Sequence, residues 1–347
     1  MYRILVTGGA GFIGSNFIIR SLNKLNCEIL NIDKLTYSGN LSNLNDITSH
    51  YTFLKADISD KNLIKKSIND FNPNVVINFA AESHVDRSID SYSEFINTNI
   101  LGTINLLDLS LDFYNKTKAD NFKFIHISTD EVYGSLNDEG SFTEFSTYNP
   151  SSPYSASKAS SDHFVNAWNK TFGLPTIITN CSNNYGPYQF PEKLIPLMII
   201  NALNEDDLPV YGSGDNIRDW IHVQDHCDAL IKIIKDGAIG EKYNIGGNCE
   251  QKNIDIVKCI CNKIDIVKPR QCGNSYRDLI CFVDDRPGHD YRYSVDSNKI
   301  SSRLDWSPQI SFDEGISQTV DWYLEQTDWW KEIIDKKYKL ERLGIKK

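Results

Sequence analysis

The hydrophobic positions in the first 180 residues form two alternating kinds of segment. Short runs that are almost continuously apolar, and rich in β-branched side chains, are followed by longer stretches in which apolar positions recur at helical spacing. Apolar strands that alternate with helices are typical of a parallel sheet covered on both faces, so we predict a doubly wound α/β fold. The predicted strands are 2–7, 28–33, 51–56, 74–80, 122–128 and 174–180, and the helices between them include 11–25, 61–71, 94–114 and 153–172.

The pattern changes after residue 180, where loops rich in Asn, Gly, Pro and Tyr dominate. Further helices are predicted at 192–204, 225–236, 253–264 and 312–326. We therefore predict two domains and a tail. The first domain covers 1–180, with 215–245 returning to it, the smaller second domain covers 181–214 and 246–330, and the C-terminal tail covers 331–347.

Composition and charge narrow the possible partners. The 347 residues are 40% hydrophobic, and the formal charge of −10 disfavours a surface for nucleic acid or anionic membranes, which needs a basic face. No apolar run approaches the roughly 20 residues of a membrane span, and no basic and apolar leader opens the chain. The eight cysteines and seven histidines show no zinc-like spacing. We expect a cytoplasmic protein with reduced thiols, no bound metal, and no nucleic-acid or membrane partner.

A glycine-rich turn follows the first predicted strand. The segment "VTGGAGFIG" (6–14) carries Gly8, Gly11 and Gly14, which allow a tight turn, a close backbone approach to a pyrophosphate, and a helix N-terminus directed at that anion. Asp33 ends the second strand, where a carboxylate binds the ribose hydroxyls of NAD and repels the 2′-phosphate of NADP. Asp33 alone would also fit a turn or capping residue, but the whole unit favours NAD as the cofactor.

A tyrosine and a lysine are candidates for the reacting centre. The segment "YSASK" places Tyr154 and Lys158 four residues apart at the start of a predicted helix, and hence on one face of it. A nearby ammonium lowers the pKa of a phenol, so Tyr154 is a candidate base for a hydroxyl that is being oxidised. Thr129, at the carboxyl end of the preceding strand, is a candidate hydrogen-bond donor to the same oxygen. Taken alone, the Tyr–Lys pair is also typical of a solvated helix face.

Two adjacent carboxylates, Asp130 and Glu131, follow the apolar run of "FIHISTDEVYG" (124–134). Two neighbouring acids resist double ionisation, so one can stay protonated at neutral pH while the other acts as a base. The alternative is a helix-capping or solvated acidic turn. That alternative is difficult to reconcile with a position between the predicted sheet and Tyr154.

These motifs together resemble the extended short-chain dehydrogenase/reductase family. Within it, the chain is most similar to the nucleoside-diphosphoglucose 4,6-dehydratases, and among them to those of dTDP-glucose. Residues 265–282 and the tail after about 330 fit least well, and Tyr291 stands where that group usually has Arg. The similar blocks are "AAESHVDRSI" (80–89), "STDEVYG" (128–134), "NNYGPYQFPEKLIPLMI" (183–199), "GDNIRDWIHVQDH" (214–226) and "DDRPGHDYRY" (284–293).

The resemblance implies a redox-neutral reaction on a nucleotide sugar. NAD oxidises C4 while Tyr154 takes the O4 proton, with Lys158 and Thr129 assisting, and the hydride returns to C6. Between these steps Glu131 removes the C5 proton, which the C4 ketone has made acidic, and Asp130 protonates the departing C6 hydroxyl. The implied substrate is dTDP-glucose. UDP-glucose stays open, because no residue distinguishes the two nucleosides, and so does the pathway, of which rhamnose synthesis is one example.

The resemblance also implies the binding residues. Lys193, Arg218 and Arg286 are cations suited to the phosphate oxygens of a diphosphate. The implied cofactor residues are Gly8, Gly11, Phe12, Ile13, Gly14, Asp33, Lys34, Leu35, Thr36, Asp57, Ile58, Phe79, Ala80, Ala81, Ser83, Thr98, Tyr154, Lys158 and Asn184. The implied substrate residues are Ser83, His84, Thr129, Asn183, Glu192, Lys193, Leu194, Pro209, Tyr211, Arg218, Asn253, Arg286 and His289.

Two other functions stay open at this point. A nucleotide-sugar 4-epimerase would share the cofactor chemistry, but such epimerases typically carry small uncharged residues in place of Asp130 and Glu131. A non-catalytic NAD-binding module would not need Tyr154 and Lys158 together with the carboxylate pair.

A homodimer is expected, as in the resembled family. The predicted helices at 94–114 and 153–172 would form its interface. Phe164, Val165 and Trp168 share the second of these helices and cannot all face the sheet.

Overall fold

A seven-stranded parallel sheet forms the centre of the computed structural model, which describes residues 1–119, 121–336 and 338. Its strand order is β3-β2-β1-β4-β5-β6-β10. The strands of the described residues are β1 (Tyr2–Thr7), β2 (Cys27–Asp33), β3 (Tyr51–Lys55), β4 (Val75–Asn78), β5 (Lys123–Thr129), β6 (Thr176–Cys181), β7 (Asn183–Tyr185), β8 (Leu208–Tyr211), β9 (Ile217–His222), β10 (Lys242–Ile245), β11 (Glu250–Lys252) and β12 (Ile280–Val283).

Helices connect the strands of this sheet. A π-helical segment, Ile96–Gly102, joins α4 to α5, so that one continuous helix occupies the position predicted at 94–114. The helices are α1 (Phe12–Lys24), α2 (Lys61–Phe71), α3 (Val85–Asp90), α4 (Ser93–Phe95), α5 (Thr103–Thr117), α6 (Pro153–Phe172), α7 (Leu194–Asn204), α8 (Val223–Asp236), α9 (Asn253–Val267), α10 (Asn298–Leu304), α11 (Phe312–Glu325) and α12 (Thr327–Lys336).

Both faces of the central sheet are buried, which explains the near-continuous apolar character of its strands. Ile4 and Val6 of β1 enter one core, which also contains Phe17 of α1. Leu5 points to the opposite face and enters a second core with Leu106 of α5. Successive side chains of a strand point to opposite faces, so a strand between two helical layers needs apolar residues at every position. The predicted doubly wound α/β fold is confirmed, and all six predicted strands of the first 180 residues belong to this sheet.

Short strands outside the central sheet were not predicted. β7, β9 and β11 form one small sheet, and β8 pairs in parallel with β12. Packed around them, α7, α9 and α11 enclose a separate apolar core. β7, β8, β11 and β12 have only three or four residues, too few for an alternating pattern to stand out from the surrounding loops. β9 has six residues, and it was not predicted because it lies in the segment 215–245 that was assigned to the first domain.

The predicted domain boundaries can be placed on this structure. Within the segment 215–245, α8 packs on α1 and β10 joins the edge of the central sheet beside β6, whereas β9 belongs to the small sheet. The predicted tail 331–347 begins inside α12, and residues 337 and 339–347 of it lie outside the described residues. None of the described helices is long and apolar enough to cross a bilayer.

The N-terminus of α6 is set by a local sequence signal. Ser152 accepts a hydrogen bond from the Ser155 backbone N–H at 3.1 Å, and the Ser155 hydroxyl accepts one from the Ser152 N–H at 3.0 Å. Pro153 occupies the first helical turn, where its missing N–H is not needed. This capping box fixes where the helix begins, and therefore where the next residue, Tyr154, enters the fold.

We expect Ser152→Ala to lower the free energy of unfolding by about 1 kcal/mol, because a helix N–H loses its side-chain acceptor. Ser311→Ala is a matched control, since Ser311 caps α11 in the same way, with the Glu314 N–H 3.4 Å away. Urea denaturation should give midpoints lowered by similar amounts for both variants. An unchanged midpoint for Ser152→Ala would contradict the capping assignment.

Candidate active site

One cavity opens at the carboxyl ends of β1, β4, β5 and β6. The five predicted catalytic residues line it together with 18 of the 19 predicted cofactor residues and with part of the predicted substrate set. The lining residues named in the sequence analysis are Gly8, Gly11, Phe12, Ile13, Gly14, Asp33, Lys34, Thr36, Asp57, Ile58, Phe79, Ala80, Ala81, Ser83, Thr98, Thr129, Asp130, Glu131, Tyr154, Lys158, Asn183, Asn184, Glu192 and Lys193.

The glycine turn has no room for side chains at two of its positions. A Cβ on Gly8, whose φ is +71°, would lie 2.6 Å from the Ala80 backbone nitrogen. A Cβ on Gly14 would lie 2.4 Å from the Gly8 carbonyl oxygen. The turn therefore brings bare backbone and the N-terminus of α1 to the cavity wall. This is the arrangement that fits the pyrophosphate of a dinucleotide.

Asp33 is held at the wall of the same cavity. Its Oδ1 accepts a hydrogen bond from the Leu35 N–H at 2.7 Å, and its Oδ2 accepts one from the Ala10 N–H at 2.9 Å. These bonds fix the orientation of the carboxylate at the cavity wall. Leu35, predicted to contact the cofactor, is not among the lining residues; it has a left-handed backbone (φ 58°) and donates its N–H to Asp33.

The carboxylate pair occupies the turn that follows β5. Thr129 ends the strand, and its hydroxyl both accepts from the Glu131 N–H at 3.3 Å and donates to Asp130 Oδ1 at 3.2 Å. Asp130 is almost completely buried, and its second oxygen, Oδ2, makes no hydrogen bond within the described part of the chain. The acidic turn is therefore neither a helix cap for α6 nor a solvated loop.

Burial and charge separate the two carboxyl groups. Burial, and next the negative charge of Glu131, raise the pKa of Asp130 well above its usual range. Burial also raises the pKa of Glu131, but Arg286, Arg218 and Lys193 act in the opposite direction on that group. Asp130 is therefore the carboxyl that holds a proton more tightly, and Glu131 is the one that three cations keep closer to ionisation.

The pKa of the Tyr154 phenol is shifted in the direction opposite to the one expected for a Tyr–Lys pair. The Lys158 ammonium donates to the Ile127 carbonyl at 2.8 Å, and burial lowers its pKa to about 8. Burial and the charge of Glu131 raise the pKa of the Tyr154 phenol well above its usual range, although a hydrogen bond with Thr129 lowers it. The expectation that the ammonium lowers the phenol's pKa is thus not met by the protein alone, because burial and a nearby carboxylate outweigh it.

The remaining predicted substrate residues lie outside the lining of this cavity. Asp86 links two of them, because its oxygens accept from Arg286 Nη1 at 2.7 Å and from the Tyr211 hydroxyl at 3.1 Å. The guanidinium of Arg218 stacks over the Tyr293 ring at 4.3 Å. Since Arg218 and Arg286 both act on the pKa of Glu131, this second cluster adjoins the carboxylate end of the cavity. Predicted residues outside the cavity lining are His84, Leu194, Pro209, Tyr211, Arg218, Asn253, Arg286 and His289.

His84 has a structural partner. Its Nε2 lies 3.6 Å from Glu192 Oε2, which also accepts from Arg87 Nε at 3.1 Å. Burial, with Lys193 and Arg87 next, lowers the pKa of His84 well below its usual range, so the ring is neutral at physiological pH. A neutral, buried ring does not supply positive charge to a phosphate.

Sequence reasoning missed part of the cavity wall. Ile127 and Ser128 on β5, Cys181 at the end of β6 and Ser182 after it lie at carboxyl ends of predicted strands, so the general position of ligand sites in such sheets could have indicated them. Gln189 and Phe190 come from a loop with no such signal. The missed lining residues are Ile32, Ser38, Gly39, Ala56, Glu82, Ile127, Ser128, Cys181, Ser182, Gln189 and Phe190. Among the described residues, no group of three or more His, Cys, Asp or Glu side chains could hold a metal ion.

A family model and a related protein both match the chain to 4,6-dehydratases. A family model described as GDP-mannose 4,6 dehydratase matches residues 5–319. A probable dTDP-glucose 4,6-dehydratase of Sinorhizobium fredii is 54% identical over 348 residues, which cover 99% of each chain.

Solved structures agree with this match. The dTDP-glucose 4,6-dehydratase of Bacillus anthracis in complex with NAD superimposes with a TM-score of 0.84 at 45% identity, covering 96% of this chain and 100% of that one. A UDP-glucose 4-epimerase of Thermotoga maritima shares the fold, with a TM-score of 0.84 at 26% identity, covering 94% of this chain and 99% of that one.

The raised pKa of Asp130 has a consequence for stability. An acid whose pKa is higher in the folded than in the unfolded state destabilises the fold increasingly as the pH rises above the unfolded value, about 3.9. Asp130→Asn carries no charge at any pH, so it should raise the thermal midpoint at pH 8, by about 2–4 °C per kcal/mol. The gain should shrink towards pH 4, where the carboxyl is protonated more fully in both states.

Asp46→Asn, which removes the same charge from an exposed loop, is the control and should show little change at either pH. Differential scanning fluorimetry of both variants makes the comparison. A midpoint for Asp130→Asn that is lower than the parental one at pH 8, or a gain that grows on acidification, would contradict the buried-carboxyl account.

Proposed function

The chain belongs to the GDP-mannose 4,6-dehydratase family, and we propose that it is a dTDP-glucose 4,6-dehydratase, a hydro-lyase that converts dTDP-glucose to dTDP-4-keto-6-deoxyglucose and water. The observation that carries the proposal is the carboxylate pair Asp130–Glu131, which shares one cavity with Tyr154 and with a dinucleotide-type glycine turn. A 4-epimerase needs oxidation and reduction at C4 only, so it would have no use for a separated acid and base.

NAD fits the cavity at the glycine turn. Gly8, Gly11 and Gly14 would hold its pyrophosphate, and Asp33 would accept hydrogen bonds from its ribose. When bound, NAD supplies the oxidant for C4 and later the reductant for C6, so the whole reaction is redox-neutral. Because Asp33 is a carboxylate, the site favours NAD over NADP, whose 2′-phosphate it would repel.

The Tyr–Lys pair would handle the O4 proton. Tyr154 is the base that removes it. The Thr129 hydroxyl, which donates to Asp130 in the protein alone, would turn to donate to the same substrate oxygen. The positive charge of Lys158 favours the ionised phenol. It must act against the burial that raises the pKa of Tyr154 in the protein alone.

The carboxylate pair would carry out the elimination. Glu131 removes the C5 proton, which is acidic because C4 has become a ketone, and Asp130 protonates the C6 hydroxyl so that it leaves as water. Their electrostatics support this division, since Asp130 holds its proton more tightly and Glu131 lies in the field of Arg218 and Arg286. Both groups are carboxyls, so their different surroundings, rather than different functional groups, determine which acts as the acid and which as the base.

A nucleotide diphosphate would lie against the cations beside Glu131. Arg286 is a suitable donor, because its Nε is buried and makes no hydrogen bond within the described residues. Lys193 reaches the cavity lining, with its Nζ on the Ser83 carbonyl at 3.0 Å. Tyr211, which contacts Asp86 and lies near the His289 ring (centroids 6.2 Å apart), extends this surface. UDP-glucose is the alternative substrate, and the same cations would bind its diphosphate.

We propose that the two predicted domains divide these tasks. Residues 1–180 with 215–245 hold the cofactor, and 181–214 with 246–330 contribute most of the nucleotide-sugar surface. We also propose that the enzyme acts in the cytoplasm, in deoxysugar synthesis such as that of rhamnose. Eight free thiols, the full cysteine content of the chain, are compatible with a reducing compartment.

The main prediction concerns Glu131→Gln. The amide is nearly isosteric but cannot take the C5 proton, so dTDP-4-keto-6-deoxyglucose formation should fall by a factor on the order of 10²–10⁴. Because Tyr154 and Lys158 remain, substrate should still reduce the cofactor, visible as new absorbance at the wavelength of reduced nicotinamide. Solvent deuterium should not enter C5.

Tyr154→Phe is the matched comparison, since it should suppress the absorbance change itself by disabling the earlier step. UDP-glucose, tested beside dTDP-glucose with the parental enzyme, decides between the two nucleosides. Parental product formation by Glu131→Gln would show that the carboxylate pair is structural and would overturn the proposed elimination.

We propose that the enzyme is a homodimer that pairs the helices containing Leu101 and Phe172, whose side chains are 53% and 52% exposed. Val165 is buried in its own subunit's core, and Phe164 and Trp168 pack partly against that core. The exposed residues therefore lie at other positions of the two helices than those that the sequence indicated. Light scattering at micromolar concentration should give twice the mass of one chain, and Leu101→Glu should reduce it. A single-chain mass for the parental protein would contradict the dimer.

A further inference from the structure

A buried carboxylate that the proposed reaction does not use lies beneath Lys158. Asp162 follows Lys158 by one turn of α6 and is 2% exposed. Its Oδ2 accepts three hydrogen bonds, from Ser128 Oγ at 2.9 Å, the Tyr148 hydroxyl at 2.8 Å and Asn180 Nδ2 at 3.1 Å. Donors that converge on a carboxylate favour its charged form. Burial raises the pKa of Asp162 above its usual range, while the charge of Lys158 and these three donors act in the opposite direction.

His126 connects this carboxylate to Lys158. Its Nε2 lies 3.5 Å from Asp162 Oδ1 and 3.3 Å from Lys158 Nζ. On the other side of the ring, Nδ1 faces the Asn78 Nδ2 amide at 3.3 Å, and the orientation of that amide is set by the Thr7 hydroxyl, which donates to Asn78 Oδ1 at 2.6 Å.

The protonation state of His126 follows from these contacts. Complete burial, and then the charge of Lys158, lower the pKa of His126 well below its usual range, so the ring is neutral. Lys158 Nζ and Asn78 Nδ2 face the two ring nitrogens, and Asp162 Oδ1 makes no hydrogen bond within the described residues.

The other groups around Lys158 provide no comparable negative charge. On β6, burial raises the pKa of the Cys181 thiol to about 12, and on α6 the Tyr154 phenol is neutral in the protein alone. On β10, Lys242 faces Asp162 from the far side, with its Nζ 4.6 Å from the Tyr148 ring centre. Burial lowers the pKa of Lys158 to about 8, and Asp162 is the main group that acts against this.

We propose that Asp162 is a positioning residue that keeps Lys158 positively charged in its buried site, with its carboxylate oriented by Ser128, Tyr148 and Asn180. The proposal rests on the proposed function, because a charged Lys158 matters there through its effect on Tyr154 as base. This role would explain why the fold buries the Asp162 carboxylate although burying a charge is energetically costly. The activity of the enzyme should then fall at high pH as Lys158 loses its proton, and Asp162 should set the pH at which this happens.

Two neutral replacements, Asp162→Asn and Asp162→Ser, test the proposal by measuring kcat/KM for dTDP-glucose from pH 6 to pH 9.5. Loss of a nearby opposite charge should move the alkaline limb to lower pH by about 1–3 units. Activity at pH 8.5 should therefore fall at least about tenfold more than activity at pH 6. Asp162→Glu, which keeps the charge, should restore the limb towards its parental position. Using two variants of different size keeps the test valid if one of them folds poorly.

Tyr133→Phe is the matched control, because it removes a buried hydrogen bond of 2.8 Å to Asn244 near the same sheet without touching Lys158. It should lower thermal stability without moving the limb. A uniform loss of activity at all pH values in both Asp162 variants, or an unmoved limb with parental activity, would overturn the positioning role. Both results would leave the proposed function intact, which instead fails if the parental enzyme forms no 4-keto-6-deoxy product.

Discussion

β1 pairs in parallel with β2 on one side and with β4 on the other, and the sheet continues in parallel to β5 and β6. The chain order reverses at β1, so the connections leave the carboxyl ends of β1 and β4 in opposite directions and a crevice opens between them. The glycine turn after β1, Asp33 at the end of β2 and the acidic turn after β5 all lie along this edge. Strand direction, rather than distance along the chain, brings the reactive groups of the proposed enzyme together.

The same geometry places charges where burial opposes them. Asp130 and Asp162 are both within 2% of complete burial, yet they have different surroundings. Three donors converge on Asp162 Oδ2, whereas Asp130 accepts from the Thr129 hydroxyl and lies beside the negative charge of Glu131. The other oxygen of each carboxyl, Asp162 Oδ1 and Asp130 Oδ2, has no hydrogen-bond partner among the described residues. Hydrogen bonds to the charged form favour the anion, and a neighbouring like charge favours the neutral acid. Burial raises the pKa of both carboxyl groups, and these surroundings favour the neutral acid more strongly at Asp130 than at Asp162.

Much of this could be predicted from the sequence, because the relevant signals are local. The spacing of apolar residues and their β-branched character predicted the central strands, and the glycine turn predicted the cofactor site. Thr129, Asp130 and Glu131 were recognisable because they are polar residues at the end of an apolar run. Features that depend on tertiary contacts could not be predicted. Nothing in the sequence shows that Asp162 and His126 meet beneath Lys158, or that burial would raise rather than lower the pKa of Tyr154.

The substrate surface illustrates the same limit. Arg286, Tyr211 and Asp86 are far apart in the chain and meet only because β8, α3 and the loop after β12 converge. The resemblance identified these residues, but it could not distinguish residues that line the cavity from residues beside it. That distinction depends on where the strands, helices and loops that carry them lie in the fold.

The proposed elimination depends on Asp130 holding its proton more tightly than Glu131. Carbon-13 NMR of protein labelled at the Asp and Glu carboxyl carbons measures this directly, with Asp130→Asn and Glu131→Gln used to assign the two signals by difference. As the pH is raised, the Glu131 signal should change to the shift of a carboxylate before the Asp130 signal does. A change of both signals at the same pH, or of the Asp130 signal first, would contradict this order of ionisation.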